Sequence, residues 1–319
     1  MFKRLHRHIY LSILLTSVLL LIITIIISMV MISNMIYKNY LSMAEQKMDR
    51  NMNNCELYVS SALTSTFNLT QDQELIEELS SPTGNSLTKK LDNLCNYSLK
   101  IDGATAYSLN GRIYTSSKVT NVPILEKLRE DVGIHNFLES DEKSFISVRN
   151  KQIALIYNNT VYPEEYGIIT CCYKVYKNQN LVGYIFADII PANLYQYFNP
   201  SYDDYFKNTK TFISRHEEFL SYQNNLSFIS YFREAGKDKI SKDLKYILIT
   251  NESDYLGSSF TSIIPLSKLI ISLALILGLM LLVSVILIIG IHFISKYFSS
   301  NVTERLDKLL SKMSVLKKN

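Results

Sequence analysis

Residues 168–190 read IITCCYKVYKNQNLVGYIFADII. Two apolar runs rich in β-branched and aromatic residues, Ile168–Tyr176 and Leu181–Ile190, flank the polar tetrapeptide Lys177-Asn178-Gln179-Asn180. Such runs, closed by turn residues, predict a hairpin of two long antiparallel strands. Upstream, residues 105–117 read TAYSLNGRIYTSS. Asn110-Gly111 is a strong two-residue turn signal, so Ala104–Leu109 and Arg112–Ser116 form a second predicted hairpin. Ser144–Arg149 and Ile153–Tyr157 predict further strands. Pro123–Glu130 predicts a helix that carries its proline in the first turn, where the missing N–H costs nothing.

Outward from this sheet the pattern changes. Lys38–Leu79 contains no Gly or Pro. Its apolar residues recur at helical spacing, which predicts one long stalk helix. Ser80-Ser81-Pro82-Thr83-Gly84-Asn85 ends it with a cluster of breakers, and a second helix over Ser86–Lys100 packs back. After Pro191 a smaller unit is predicted. It has strands at Thr211–Ser214, Glu218–Tyr222, Lys245–Asn251 and Ser258–Ile264, with a helix near Phe228–Glu234. Antiparallel strands with segregated helices define an α+β fold.

The chain's two ends are different in kind. Ile9–Tyr37 is 29 residues without Lys, Arg, Asp, Glu or His, and Leu269–Ile291 is 23 more. About 20 apolar residues cross a bilayer, so both runs are predicted transmembrane helices. The first has no small-x-small site after it and is about twice the length of a signal-peptide core, so it is read as an uncleaved anchor. Lys3, Arg4 and Arg7 precede the first run. Lys296, Arg305, Lys308, Lys312, Lys317 and Lys318 follow the second. The positive-inside rule then places both termini in the cytoplasm of a two-span plasma-membrane protein, with the region between them outside the cell. The net charge of +4 comes from those flanks, because the rest holds 24 basic and 27 acidic residues. That balance argues against a nucleic-acid partner.

The four cysteines, Cys55, Cys95, Cys171 and Cys172, fall in the outer region, where disulfides are permitted. They allow three complete pairings. Cys171 and Cys172 are adjacent in a strand, so they face opposite sides and do not bond to each other. The favoured reading is that all four are small buried apolar residues.

The hairpin TAYSLNGRIYTSS, the pair YKVYKNQNLVGYIFADIIPANL (173–194) and the exit FTSIIPLSKL (260–269) resemble extracytoplasmic Cache (PAS-like) sensor domains. Gly183–Ile190 matches the strand that closes the first module in that family, and Ile264-Pro265 matches the family's exit into the membrane helix. The resemblance implies a double Cache arrangement. Residues 1–8 would be the cytoplasmic N-terminus, 9–37 the first span, and 38–100 stalk and packing helices. Residues 101–191 would form a membrane-distal module, 192–267 a membrane-proximal one, and 268–292 the second span. The whole looks like the input half of a YesM-like sensor histidine kinase. In residues 293–319, Val302, Leu306, Leu309, Met313 and Leu316 follow an a/d spacing. That segment resembles the first helix of a HAMP linker, although the family's early proline is replaced by Ser299-Ser300-Asn301. A parallel homodimer is the implied assembly.

The resemblance also implies a pocket between the sheet and its covering helices and loops. Asp188 stands where the family has a ligand-contacting aspartate. Arg149, whose guanidinium suits a carboxylate, joins Tyr107, Tyr157 and Tyr173 as the other candidate ligand contacts. The family's amino-acid binders carry an Arg-x-Trp-Tyr-like motif, and this chain has no tryptophan. No histidine lies in a kinase context, and no phosphate loop, nucleophile elbow or zinc-protease motif occurs. The expectation is a receptor input that takes an extracellular small molecule. It would have no cofactor, no metal and no catalysis of its own, and would reach a response regulator only through a kinase region missing from this chain. The alternative is a non-signalling membrane anchor or adaptor that binds a partner protein or cell-wall polymer.

Overall fold

The structure, a computed structural model, describes residues 2–81, 86–97, 101–121, 124–149, 167–190, 209–215, 218–220 and 245–316. Contacts divide the chain into two compact units, Met1–Ser42 with Ser267–Asn319, and Met43–Leu266.

The first unit contains the apolar ends of two long helices, α1 (Phe2–Thr70) and α6 (Ser267–Leu316). Both are long and apolar enough to cross a membrane. Leu15 and Leu275 are typical of their surfaces, each 69% exposed. Such apolar exposure suits a lipid surrounding and not water. Near the chain ends the two helices share polar contacts. Tyr10 Oη lies 2.8 Å from His292 Nδ1, and Ser299 Oγ donates to the His6 carbonyl at 2.8 Å.

In the second unit α1 is followed by α2 (Gln73–Ser80) and α3 (Ser86–Tyr97). The predicted single helix to Leu79 is therefore interrupted at Gln71-Asp72. The cause is local. Asp72 turns extended and its carboxylate accepts the Leu75 amide at 3.0 Å, an N-cap that starts a new helix. Lys90 of α3 then grips the same carboxylate at 2.6 Å and Glu74 at 2.8 Å, which pins the joint.

The first sheet holds β1 (Gly103–Ser108), β2 (Ile113–Thr115), β3 (Ser144–Arg149), β4 (Ile168–Lys177) and β5 (Asn180–Ile189). It is antiparallel throughout, in the order β2-β1-β5-β4-β3. Gly111 closes the first hairpin at φ +84°. Asn178 and Gln179, at φ 49° and 70°, close the second as a two-residue turn of the primed kind. Two short helices, α4 (Leu125–Leu128) and α5 (Val132–Glu139), follow β2. The sequence predicts only the first of these, and at greater length. α5 begins where Asp131 caps the Ile134 amide.

Each face of this sheet is covered. Tyr107, Cys172, Tyr184 and Phe186 pack with Leu128, Ile134, Phe137 and Leu138 from α4 and α5. On the other face Ser108 donates to the Leu79 carbonyl at 2.7 Å, and Tyr173 meets Phe67 of α1 at 6.0 Å between ring centroids. A second sheet, ordered β7-β6-β9-β8, consists of β6 (Lys210–Arg215), β7 (Glu218–Leu220), β8 (Tyr246–Ser253) and β9 (Ser258–Pro265). One face of it meets α1, where Ser253 donates to Glu56 at 2.7 Å and Asn251 to Asp49. The predicted strand Ile153–Tyr157 and helix Phe228–Glu234 lie outside the described residues. All four cysteines are free and buried.

Candidate functional site

Pairing register decides which side chains meet. Thr170 on β4 stands opposite Asp188 on β5 and opposite Ser147 on β3. Directly opposed residues share a face, and so do residues two apart on one strand. Ser147, Arg149, Thr170 and Asp188 therefore lie on one face, together with Cys172, Phe186 and Tyr107.

Three of these polar groups, Arg149, Thr170 and Asp188, form a linked cluster. Arg149 Nη2 donates to Thr170 Oγ1 at 2.5 Å and lies 3.4 Å from Asp188 Oδ1. Thr170 Oγ1 donates to that same carboxylate oxygen at 2.6 Å. Arg149 is 2% exposed, Asp188 3% and Thr170 not at all. A buried charge costs several kcal/mol unless it is paired and hydrogen-bonded. The pair neutralises itself, and Thr170 couples its halves by donating to one and accepting from the other. Tyr107, stacked obliquely on Phe186 at 5.3 Å, adjoins the cluster. Burial pushes its hydroxyl pKa up, the Asp188 charge adds to that, and Arg149 opposes it.

The candidate residues separate. Arg149, Asp188 and Tyr107 share a face and a neighbourhood. Tyr173 lies on the opposite face against Phe67. Burial pushes its pKa up to about 12, with smaller contributions from Cys171 and Tyr255. Tyr157 lies outside the described residues. A bulge explains where Tyr173 goes. Tyr176 pairs with Leu181, yet Val175 pairs with Gly183, so β5 carries one extra residue there. A plain ladder from the two-residue turn sets Ile169, Cys171 and Tyr173 on the face of Asp188. The extra residue reverses that and brings Thr170 and Cys172 to it.

Sequence reasoning misses three participants: Thr170, Ser147 and Lys174. Lys174, on the same face, donates to the Ser140 carbonyl at the end of α5 and lies 5.1 Å above the Phe137 ring. It ties the covering helix to the sheet. The residue types carry no signal for these roles; only strand parity, counted through the bulge, does. Among the described residues no group of three His, Cys, Asp or Glu side chains is placed to hold a metal ion. The cluster offers a cation, an anion and hydroxyls, which suits recognition of a zwitterion.

Comparison with known proteins agrees with this geometry at the level of fold. No family profile matches the chain, and no curated protein matches it in sequence. Among solved structures, the mixed helix and antiparallel-sheet fold resembles that of chemoreceptor ligand-binding domains. The ligand-binding domain of the Pseudomonas fluorescens chemoreceptor CtaA, in complex with L-isoleucine, is 12% identical. It covers 74% of this chain and 96% of its own, at a TM-score of 0.52. The ligand-binding domain of Mlp24 with asparagine is 16% identical, covering 75% of this chain and 98% of its own, at 0.50.

Proposed function

We propose that this chain is a transmembrane signal-input module that binds an extracellular amino acid or a closely similar zwitterion. The observation that carries this is the buried Arg149–Thr170–Asp188 cluster beside the cover of α4 and α5. It lies in a fold whose neighbours hold asparagine and L-isoleucine. In the ligand-free state Arg149 and Asp188 satisfy each other at 3.4 Å. A zwitterion divides them: its carboxylate takes the guanidinium and its ammonium takes Asp188, so no charge is left uncompensated. Arg149 is on edge strand β3 and Asp188 on central strand β5, so occupancy changes how β3 is held. The free energy available for signalling is the difference in ligand affinity between the two arrangements.

The output runs through the helices. The sheet-bearing unit continues into α1 at one end and α6 at the other, both with apolar segments of spanning length. In this reading both termini are cytoplasmic, which the flanking basic residues support. Leu306 and Leu309 of α6 are exposed and follow the heptad spacing, which supports a parallel homodimer that reads the signal as a change in helix packing. The chain itself performs no catalysis. It serves as the input half of a two-component sensor kinase, with a HAMP-like segment beginning in 293–319.

The test is a thermal-shift screen of the full chain in lipid nanodiscs against the twenty L-amino acids. A ligand at 100 times its Kd stabilises by about 2.7 kcal/mol, which is readily seen. At least one amino acid raises the Tm, and Asp188→Asn removes that shift. A flat response to all twenty overturns the assignment.

A further inference from the structure

We infer that the Ser147 hydroxyl is a ligand-binding group of this site and donates to the second carboxylate oxygen of the bound amino acid. This rests on the reading of the Arg149–Asp188 cluster as an amino-acid pocket. Ser147 lies two residues before Arg149 on β3, on the same face and directly opposite Thr170. Its side chain is fully buried, and its Oγ has no hydrogen-bond partner. Buried hydroxyls in native proteins are almost always satisfied, so an orphan calls for a partner from outside the chain.

Its position says which partner. Strands advance about 3.3 Å per residue, so the Cα atoms of Ser147 and Arg149 are roughly 6.6 Å apart along β3. A carboxylate held over that interval accepts from the guanidinium with one oxygen and from Ser147 with the other. Thr170 is not available for this, because its proton goes to Asp188 and its lone pair accepts from Arg149. Two other buried oxygens without a partner lie away from this face. Tyr114 pairs with Ala106 on the opposite face, and Glu78 belongs to α2. Ser147 also borders the apolar half of the face, where Phe145 packs on the cluster beneath α5. It therefore marks where the ligand's charged head gives way to its body.

The experiment is calorimetric titration of the full chain in nanodiscs with each of the twenty L-amino acids. Ser147→Ala is then titrated with every amino acid that binds, and with the carboxamide of the tightest. The expected result is a loss of affinity of about tenfold or more for the amino acid, the scale of a hydrogen bond to a charged group. The carboxamide binds weakly and is indifferent to the substitution. The ligand-free Tm of the variant equals or exceeds that of the wild type, because no native bond is removed. Equal amino-acid affinity in both proteins, or a fall in ligand-free Tm, overturns the role of Ser147 while leaving the pocket intact. No binding to the wild type overturns the pocket and the role together.

Discussion

Thr170 Oγ1 donates to Asp188 Oδ1 at 2.6 Å across the β4–β5 ladder and at the same time accepts from Arg149. One neutral hydroxyl thus mediates between two buried charges. Thr170→Val keeps the shape and removes the mediator, and should cost about 1–3 kcal/mol. Arg149→Leu leaves the buried Asp188 carboxylate without its cation and should cost more, about 3–5 kcal/mol. Denaturant unfolding of both variants checks the order, and a Thr170→Val loss exceeding that of Arg149→Leu contradicts it.

The break between α1 and α2 makes stability depend on acid. Partial burial by itself raises the pKa of Asp72. Hydrogen bonds from Lys90 and the Leu75 amide, with the Lys90 charge, outweigh that and hold it below the ordinary value. A depressed folded-state pKa contributes stability above the unfolded value, near 3.9, that is lost as pH falls through the folded one. Asp72→Asn keeps a competent cap and removes the charge. The variant should be less stable at neutral pH by up to about 1 kcal/mol, since the pair is partly exposed to solvent. The two melting temperatures should converge as pH falls through the depressed folded-state pKa of Asp72. Parallel curves through that pKa would exclude Asp72 as the titrating group.

Gly183 is required by close approach, although its backbone angle is not of the left-handed kind. A Cβ there would run into the Tyr107 carbonyl oxygen and touch Leu79 from α2. Backbone cannot yield as a flexible side chain does, so Gly183→Ala must push β1 from β5. A loss of about 1–3 kcal/mol is expected in denaturant unfolding, as for overpacked cores. A change within about 0.5 kcal/mol, the range of an ordinary surface site, would contradict it.

The cysteines should behave as core residues. Burial raises the pKa of all four thiols. Cys95 goes to about 11, with its hydrogen bond to Ser116 and the Lys118 charge opposing and Asp92 and Asp188 adding. The thiolate is the reactive form, so maleimide should add nothing to the native chain and four labels in denaturant, read by intact mass. Fewer than four labels after unfolding without reductant would reveal a disulfide.

Local signals made much of this fold legible in the sequence. The apolar runs, Asn110-Gly111 and the tetrapeptide 177–180 place the long helices and both hairpins of the first sheet. What escaped is what distance along the chain hides. α5 is eight residues long and includes Gly133, so its pattern is too short to stand out, and its cap at Asp131 resembles any loop aspartate. The interruption at Asp72 needs Lys90, 18 residues away, to hold it. A family likeness points to Asp188, and the chemistry of a guanidinium to Arg149. Nothing local points to Thr170 or Ser147, because a hydroxyl in a strand is unremarkable until the register through the bulge at Val175/Tyr176 shows which face it occupies.

Everything proposed for this chain depends on the sheet-bearing unit lying outside the cell while α6 returns to the cytoplasm. Single cysteines introduced at Asn110, in the exposed turn after β1, and at Lys308, exposed on α6, test this in intact cells with a membrane-impermeant maleimide. The native thiols are buried and give little background. The predicted result is labelling of Asn110→Cys from outside and of Lys308→Cys only after permeabilisation. Protection of Asn110→Cys in intact cells, or labelling of Lys308→Cys there, would contradict it.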